Sequence, residues 1–246
     1  MANYLASRLA KKVSVVALCS RNLTTANAIS KKYKIVLKTL PEIIAINPDV
    51  IILAVNDDSI DEIAKQIKKS PSLIIHCSGS TPIETIKKYC THTAVLWPLI
   101  SISDIAKPKN NFPVCIEASD EKSLATVHSI SKFITKNVYV YNSAQRLQLH
   151  LMAVVVNNFT NHFYNMASDI ANEKELDFNI LKPIIAQTAN NIMHHSPGEV
   201  QTGPAKRHDE KTMQRQLQLL KSKNRKALYK MISDDIYVTN KNTKFK

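Results

Sequence analysis

The densest group of reactive side chains in the sequence lies at residues 201–209, which read Gln-Thr-Gly-Pro-Ala-Lys-Arg-His-Asp. A glycine before a proline favours a tight turn, and the guanidinium of Arg207 can bind a carboxylate or phosphate through paired hydrogen bonds. We interpret this loop as a candidate substrate clamp formed by Gln201, Thr202, Gly203, Arg207 and Asp209. The alternative is an ordinary connection between two helices, in which Asp209 caps the second helix.

A second set of polar residues follows predicted strands, at the sheet edge where open α/β folds bind ligands. Ser20, Arg21 and Asn22 end one of these strands, and none of them is acidic. An acidic residue in this place would hold the ribose of NAD, whereas an arginine accommodates the 2′-phosphate of NADP, so the pattern favours NADP. Asn56, Ser78 and Gly79 end later strands and are further cofactor-binding candidates. The alternatives are an exposed loop arginine and simple turn or cap chemistry.

Residues 142–170 are predicted to form a long helix that begins with a capping box at Asn142 and Gln145. No Asp, Glu, Lys or Arg occurs from residue 148 to 168 in a chain with 22% charged residues, which indicates burial. At about 100° per residue one face is apolar and carries Met152, Val155, Phe159, Phe163, Met166 and Ile170. The other face is a polar stripe of Arg146, His150, Asn157, Asn161, Tyr164 and Ser168.

Buried polar groups need partners, which for this stripe are another helix, a second subunit or a ligand. The helix begins where the alternation of strands and helices stops, so its first part lies nearer the sheet. We therefore assign the part with His150 and Asn157 to a candidate site. The part with Tyr164 and Ser168 is assigned to helix packing or a dimer seam.

Short apolar runs alternate with helical patterns in the first half of the chain. Strands are predicted at residues 13–18, 35–37, 50–55, 73–77, 94–96, 114–117 and 138–141, and helices at 1–10, 24–32, 60–68 and 121–134. Further helices are predicted at 178–194, 210–222 and 226–236. The pattern predicts an α/β Rossmann-like fold, with a doubly wound, mostly parallel sheet that lacks its first strand, followed by an all-α domain. The domains are expected at 1–142 and 143–240, with a frayed tail at 241–246.

The usual start of a dinucleotide-binding fold is a strand, a glycine-rich turn and a helix. Here the sequence begins within that helix, and its three glycines, Gly79, Gly198 and Gly203, form no G-x-G-x-x-G pattern. We expect Met1 to be an internal methionine, with the strand and turn upstream of it. Without that strand, the predicted strands at 13–18 and 50–55 must pair directly or leave two unpaired edges.

The composition argues against several classes of protein. The net charge of +13 comes mainly from 27 lysines, which are scattered and not interleaved with aromatic residues, so we expect no nucleic-acid binding. The apolar runs are far shorter than the roughly 20 residues of a membrane helix. The four cysteines show no Cys-x-x-Cys pair, and His194 and His195 are adjacent and cannot chelate one ion. We therefore expect a reduced, cytoplasmic protein without a metal site.

Several motifs together resemble a known family. They are Ser20-Arg21-Asn22, His-Cys-Ser-Gly-Ser-Thr-Pro at 76–82, Pro98-Leu99, Leu-His-Leu at 149–151, Asn-Asn-Phe-Thr-Asn-His at 157–162, and Gln-Thr-Gly-Pro-Ala at 201–205 with Arg207 and Asp209. The family consists of two-domain Rossmann-like proteins whose C-terminal helical half is a domain of unknown function. It is similar in layout to pyrroline-carboxylate reductase, deazaflavin-dependent NADP oxidoreductase and 3-hydroxyisobutyrate dehydrogenase. The resemblance covers essentially the whole chain.

The resemblance implies an NADP-binding domain, a helical domain that forms a homodimer, and a pocket for a small-molecule substrate. Family members commonly carry a Gly-x-Gly-Asn turn just before the position of Met1, and a glycine at the position of His208. This sequence departs from the family at both positions.

We therefore predict an NADP-dependent oxidoreductase that acts on a small carbonyl or imine compound. His150 is the candidate acid or base, and Asn157 and Asn161 are expected to orient the substrate. Arg207 would anchor a carboxylate or phosphate, and Asp209 would orient Arg207 or cap its helix. The alternative is a non-catalytic helical dimer, or a degenerate Rossmann protein that has lost its cofactor site.

Overall fold

The computed structural model describes residues 1–68, 70–102 and 112–243. Its contacts divide the chain into two compact units, Met1–Thr160 and Asn161–Lys246. The first unit extends beyond residue 142 because the helix that follows the sheet is bonded to the strand ends, as shown below. Of the predicted tail, residues 241–243 belong to the last helix, and residues 244–246 lie outside the described part of the chain.

The first unit alternates helices and strands, as the sequence predicted. It contains α1 (Ala2–Leu9), α2 (Leu23–Tyr33), α3 (Leu40–Ile46), β1 (Val50–Leu53), a 3-10 turn (Asp57–Ser59), α4 (Ile60–Gln66), β2 (Leu73–His76), α5 (Glu84–Lys87), β3 (Thr93–Pro98), β4 (Val114–Ala118), α6 (Glu121–Lys132), β5 (Val138–Val140), α7 (Ser143–Ala153) and a π-helix (Val154–Phe159). Side-chain caps fix several helix starts. Asn22 accepts the backbone N–H of Thr25 at 3.0 Å, and Asp120 accepts that of Ser123 at 2.9 Å.

The strands form one five-stranded sheet in the order β1-β2-β3-β4-β5. Every neighbouring pair is parallel except β3 and β4, which are antiparallel. The prediction of a mostly parallel sheet is confirmed. All residues of β2 and β3 are buried, which explains why these strands read as continuous apolar runs.

Helices cover both faces of the sheet. Because successive side chains of a strand point to opposite faces, Ile74 packs with α4 and α5, whereas Leu73 and Ile75 pack with α1 and α6. Leu5 and Leu9 attach α1 to the second of these cores. The doubly wound Rossmann-like architecture predicted from the sequence is therefore confirmed.

The predicted strands at residues 13–18 and 35–37 are wrong. Among the described residues these segments share a single parallel bridge, between Leu18 and Leu37. A strand needs a ladder of partners, and here Val13, Val16 and Val36 remain exposed. Residues 13–18 do not pair with β1, which is an edge of the described sheet. Direct pairing of the two segments is therefore not observed, and of these two β1 alone has an unpaired edge in the described sheet.

The predicted long helix at 142–170 is interrupted. The capping box at Asn142 and Gln145 is present, but the π-helix separates α7 from α8 (Thr160–Glu173). A π-helix has more residues per turn, so the faces deduced from a 100° step do not continue across it. The predicted burial is also wrong for part of the helix, because Met152, Val155 and Phe159 are exposed in the single chain.

The second unit is entirely helical among its described residues. After most of α8 it contains a 3-10 turn (Phe178–Leu181), α9 (Lys182–Asn191), α10 (Pro197–Val200), α11 (Pro204–Arg207), α12 (Glu210–Leu219) and α13 (Lys223–Thr243). Arg225 at the start of α13 is paired with Asp169 and Glu173 of α8. No helix in the described ranges is both long and apolar enough to span a membrane.

Candidate active site

The turn after β2 is built around the hydroxyl of Ser78. Its Oγ accepts hydrogen bonds from the backbone N–H groups of Ser80 and Thr81, at 3.2 and 2.9 Å. The hydroxyl of Ser80 donates to Oδ2 of Asp57 at 2.6 Å, in the turn after β1. The turns that follow two adjacent parallel strands are therefore joined at the edge where the sequence predicts cofactor-binding residues.

Gly79 occupies a position in this turn where a side chain has no room. A Cβ atom built on Gly79 would lie 2.5 Å from Cε2 of Trp97 and 2.8 Å from Cδ2 of His150, far inside van der Waals contact. The two rings are 5.7 Å apart between centroids and inclined by 49°. The glycine therefore lets both rings approach the backbone of the turn.

Arg146 of α7 holds the same turn and is fully buried, with 0% of its surface exposed. Its Nε donates to the carbonyl oxygen of Ser78 at 3.3 Å, and its two terminal nitrogens donate to the carbonyl oxygen of Thr81 and the carboxylate of Glu117. A buried cation needs such acceptors because an unpaired charge in the interior costs several kcal/mol. The helical spacing correctly placed Arg146 near His150 but did not reveal these partners.

Glu117 of β4 also anchors the first residue of α7. Its Oε1 accepts the backbone N–H of Ser143 at 3.0 Å, and its Oε2 accepts the Ser143 hydroxyl at 2.8 Å. The same hydroxyl oxygen accepts the backbone N–H of Ile83 at 3.0 Å. The start of α7 is thus bonded both to the sheet and to the segment after the β2 turn.

His76, the last residue of β2, is a buried titratable group beside this cluster. Its Nδ1 accepts the backbone N–H of Ser78 at 3.3 Å. Burial, and then the charge of Arg146, lower the pKa of His76 to about 4, while the Asp57 carboxylate and the Pro82 carbonyl act in the opposite direction. The imidazole of His76 is therefore neutral near pH 7.

The three residues predicted to hold the adenosine end of NADP form one turn. The Ser20 Oγ accepts the backbone N–H of Asn22 at 3.2 Å, and Asn22 caps α2. Arg21 is exposed, and its Nη2 donates to the hydroxyl of Ser59 at 3.1 Å. Asn56 precedes the 3-10 turn that contains Ser59, and its carbonyl oxygen accepts the backbone N–H of Ser59 at 2.9 Å. The structure therefore brings the ends of these two segments together.

A cavity of about 370 Å³ lies beside this turn. Leu18, Leu23 and Leu37 give it apolar walls, and Ser20, Lys38 and Glu42 add polar groups. The Glu42 carboxylate is hydrogen-bonded to Thr39, whose N–H and hydroxyl both donate to it at 2.7 Å. These hydrogen bonds lower the pKa of Glu42.

The three predicted catalytic residues lie in three different elements. His150 is in α7 and meets Trp97 and Gly79. Asn157 is on the exposed π-helix, where its amide donates to Oδ1 of the neighbouring Asn158 at 3.4 Å. Asn161 is exposed in α8 and is the first residue of the second unit.

The Gln201–Asp209 loop forms a compact structure within the second unit. Lys206 Nζ donates to the Gln201 carbonyl oxygen at 2.6 Å, and Gly203 adopts a φ of 106° that favours glycine. Asp209 caps α12 by accepting the N–H and hydroxyl of Thr212, at 3.1 and 2.7 Å. These bonds, and then the charges of Arg207 and Arg215, lower the pKa of Asp209. Thr202 and Arg207 are exposed.

Sequence reasoning gave no role to three residues of this arrangement. They are His76, Trp97 and Glu117. Two of them, His76 and Glu117, could have been recognised from the sequence. A histidine in the apolar run at 73–77 and a glutamate in the strand at 114–117 both interrupt an apolar pattern. A buried polar residue inside a strand needs a partner, and that requirement could have marked both.

Two family models match the sequence. The model described as a domain of unknown function (DUF2520) matches residues 112–236. The model described as NADP oxidoreductase, coenzyme F420-dependent, matches residues 1–79. No curated protein matches the chain.

Solved structures are similar over nearly the whole chain. A candidate NADP oxidoreductase from Bacteroides fragilis is 30% identical, with a TM-score of 0.87 over 96% of this chain and 93% of its own. A protein from Thermotoga maritima is 21% identical, with a TM-score of 0.79 over 98% and 96%. An imine reductase from Myxococcus stipitatus in complex with NADP+ is 10% identical, with a TM-score of 0.63 over 98% and 90%. The last two likenesses show the fold alone.

We expect His76 to make the stability of the first unit depend on pH. The unfolded chain binds this proton below about pH 6.5 and the folded chain only below about pH 4, so the free energy of unfolding falls as the pH drops through this window. A shift of this size corresponds to about 3 kcal/mol. His76→Asn keeps an acceptor for the Ser78 N–H but does not titrate. Urea unfolding at several pH values should show that His76→Asn loses less free energy of unfolding at acid pH than the parent. An unchanged loss would contradict the assignment to His76.

Proposed function

The chain belongs to the family of proteins that share the DUF2520 domain, as its motifs predicted, and from this premise we propose that it is an NADP-dependent oxidoreductase that reduces a small carbonyl or imine compound. The observation that carries the proposal is the position of the His150 ring against Trp97 and Gly79, beyond β2 and at the end of β3. Ligands of open α/β sheets bind at this edge. An imidazole is a suitable acid or base near neutral pH.

Ser20, Arg21 and Asn22 would hold the adenosine end of NADP. The Arg21 guanidinium is exposed and has five N–H donors, more than its contact with Ser59 uses, and no carboxylate lies within this turn to repel a 2′-phosphate. The adjacent cavity has the apolar walls that suit an aromatic base. Asn56, Ser78 and Gly79 follow along the same edge. When bound, NADPH supplies the hydride.

His150 would give a proton to the carbonyl oxygen or imine nitrogen of the substrate as the neighbouring carbon is reduced. Asn157 and Asn161 would orient the substrate through their amide groups. Arg207 would anchor a carboxylate or phosphate of the substrate, within a loop shaped by Gln201, Thr202 and Gly203 and fixed by the Asp209 cap. The names of the similar structures, an NADP oxidoreductase and an imine reductase, support this class of reaction.

A second copy of the chain would complete the protein as a homodimer. In the single chain, α7 and the π-helix expose Leu147, Leu151, Met152, Val155, Val156 and Phe159. Val156 is 71% exposed. Contiguous apolar patches of this kind mark protein interfaces, and the absence of charged residues from 148 to 168 supports the same conclusion.

Replacement of His150 by alanine is expected to abolish turnover and to leave the NADPH affinity within about twofold of the parent. The imidazole acts in proton transfer, which contributes roughly 10²–10⁴-fold to rate, and it is not among the groups proposed to hold the nucleotide. Turnover is measured as steady-state NADPH oxidation with a panel of small aldehydes, ketones and cyclic imines. The NADPH affinity is measured by fluorescence titration.

His194→Ala is the matched control, since it removes an exposed histidine of the second unit. Unchanged turnover in His150→Ala would remove His150 from the mechanism. If the parent chain binds NADPH in the micromolar range, the oxidoreductase proposal is supported. If it binds none at millimolar concentration, the non-catalytic alternative replaces it.

Arg21→Gln is expected to weaken NADPH binding by roughly 10- to 100-fold and to leave NADH binding nearly unchanged. A hydrogen bond to a charged group contributes about 1.5–3 kcal/mol, and NADH lacks the phosphate that would receive it. Titration of each nucleotide measures the effect. Lys31→Gln, which removes one exposed positive charge from nearby α2, should preserve both affinities. An equal loss for both nucleotides would refute the assignment of Arg21 to the 2′-phosphate.

Val156→Lys is expected to convert the dimer to a monomer, because it would place a charge in the apolar interface. Sedimentation velocity at micromolar concentration measures the molecular mass. Val36→Lys, which changes another exposed valine outside α7 and the π-helix, should remain dimeric. A parent protein that sediments as a monomer would refute the dimer.

A further inference from the structure

We propose that Arg146 is a positioning residue of this site: it fixes the His150 ring relative to the Gly79 turn and so controls the rate of proton and hydride transfer without touching substrate or cofactor. The inference rests on the function proposed above. It goes beyond that function by assigning the geometry of the acid or base to a residue that is fully buried.

The contacts of Arg146 join three separate parts of the chain. The guanidinium donates to the carbonyl oxygens of Ser78 and Thr81, on either side of the turn that contains Gly79. It also donates to Glu117 of β4. A planar guanidinium with five donors can satisfy such a set in one fixed orientation. The turn therefore has one position relative to α7.

His150 lies one helical turn after Arg146 and on the same side of α7. Because residues four apart share a face, holding Arg146 against the turn also holds His150 against it. The clearance is small, since a Cβ on Gly79 would meet both Trp97 and His150. A shift of α7 by a fraction of an ångström would change the contact between the imidazole and the turn.

The alternative, that Arg146 only stabilises the fold, predicts a different outcome. Loss of the Arg146 charge leaves the partly buried carboxylate of Glu117 without its cation, which is costly away from bulk water. Arg146→Lys separates the two roles because it keeps the positive charge but loses the planar set of donors. If Arg146 only stabilises the fold, the lysine variant that folds should retain the catalytic rate.

Trp97 provides a readout that does not depend on activity. It is the single tryptophan of the sequence, and its ring lies 5.7 Å from that of His150. Contact with an imidazole ring quenches the fluorescence of an indole. His150→Gln should therefore raise the emission of Trp97 at one fixed pH, and the difference from the parent defines the quenching that depends on His150.

The experiment compares Arg146→Lys with the parent in three measurements: kcat and KM, NADPH affinity, and the emission of Trp97 at one fixed pH. We expect kcat to fall by at least about tenfold, since misplacement of a reacting group by 1 Å can cost 10²-fold. The NADPH affinity should also fall, by a smaller factor than kcat, because Ser78 and Gly79 of the same turn are among the groups proposed to hold the cofactor. The His150-dependent quenching should be lost or strongly reduced.

Arg225→Lys is the matched control, because Arg225 also pairs with carboxylates, Asp169 and Glu173, but lies in the second unit. It should change neither kcat nor the quenching. If Arg146→Lys does not fold, Glu117→Gln weakens the same pair while keeping its shape and is expected to give the same two changes.

Retained quenching together with a parental kcat in the folded variant would overturn the proposal. Failure of the proposed function gives a different pattern, in which the parent reduces no compound of the panel. In that case the quenching alone decides whether Arg146 positions His150, with loss supporting the positioning role and retention overturning it.

Discussion

The burial of one cation imposes the arrangement of the whole sheet edge. Arg146 has no contact with water, so its donors must find oxygen atoms within the protein. Glu117 supplies a carboxylate from β4, and the turn after β2 supplies two carbonyl oxygens. That requirement brings α7 onto the strand ends. It explains why the first compact unit continues past the last strand into α7.

A chain of polar contacts extends the same edge toward the start of the sequence. Asp57 accepts a hydrogen bond from the Ser80 hydroxyl, and Ser59, two residues after Asp57, accepts one from Arg21. Each contact joins residues more than 20 positions apart, so the fold holds the loops to one another in addition to the hydrogen bonds within each turn. Sites built on rigid strand ends keep their geometry better than sites on free loops. The polar groups proposed to hold the cofactor are fixed in this way.

The sequence predicted those parts of the fold that depend on local pattern. The apolar runs of β1 and β2 and the capping box at Asn142 were found where expected, because burial and capping act over a few residues. The predicted strand at 13–18 is wrong because a strand forms only with a partner, and pairing is not a property of the segment itself. For the same reason the role of Arg146 was missed, since the acceptors that it reaches in the β2 turn and in β4 are 29 to 68 residues away.

His208 shows how a departure from a family pattern can be physically compensated. Its backbone is left-handed, with a φ of 56°, a conformation that glycine adopts without strain. A side chain there costs roughly 1–2 kcal/mol. The imidazole stacks on Tyr237 with 4.1 Å between ring centroids, and such ring pairs contribute about 0.5–1.5 kcal/mol. The ring contact therefore offsets part of the backbone cost, and the loop keeps the turn that places Asp209 at the start of α12.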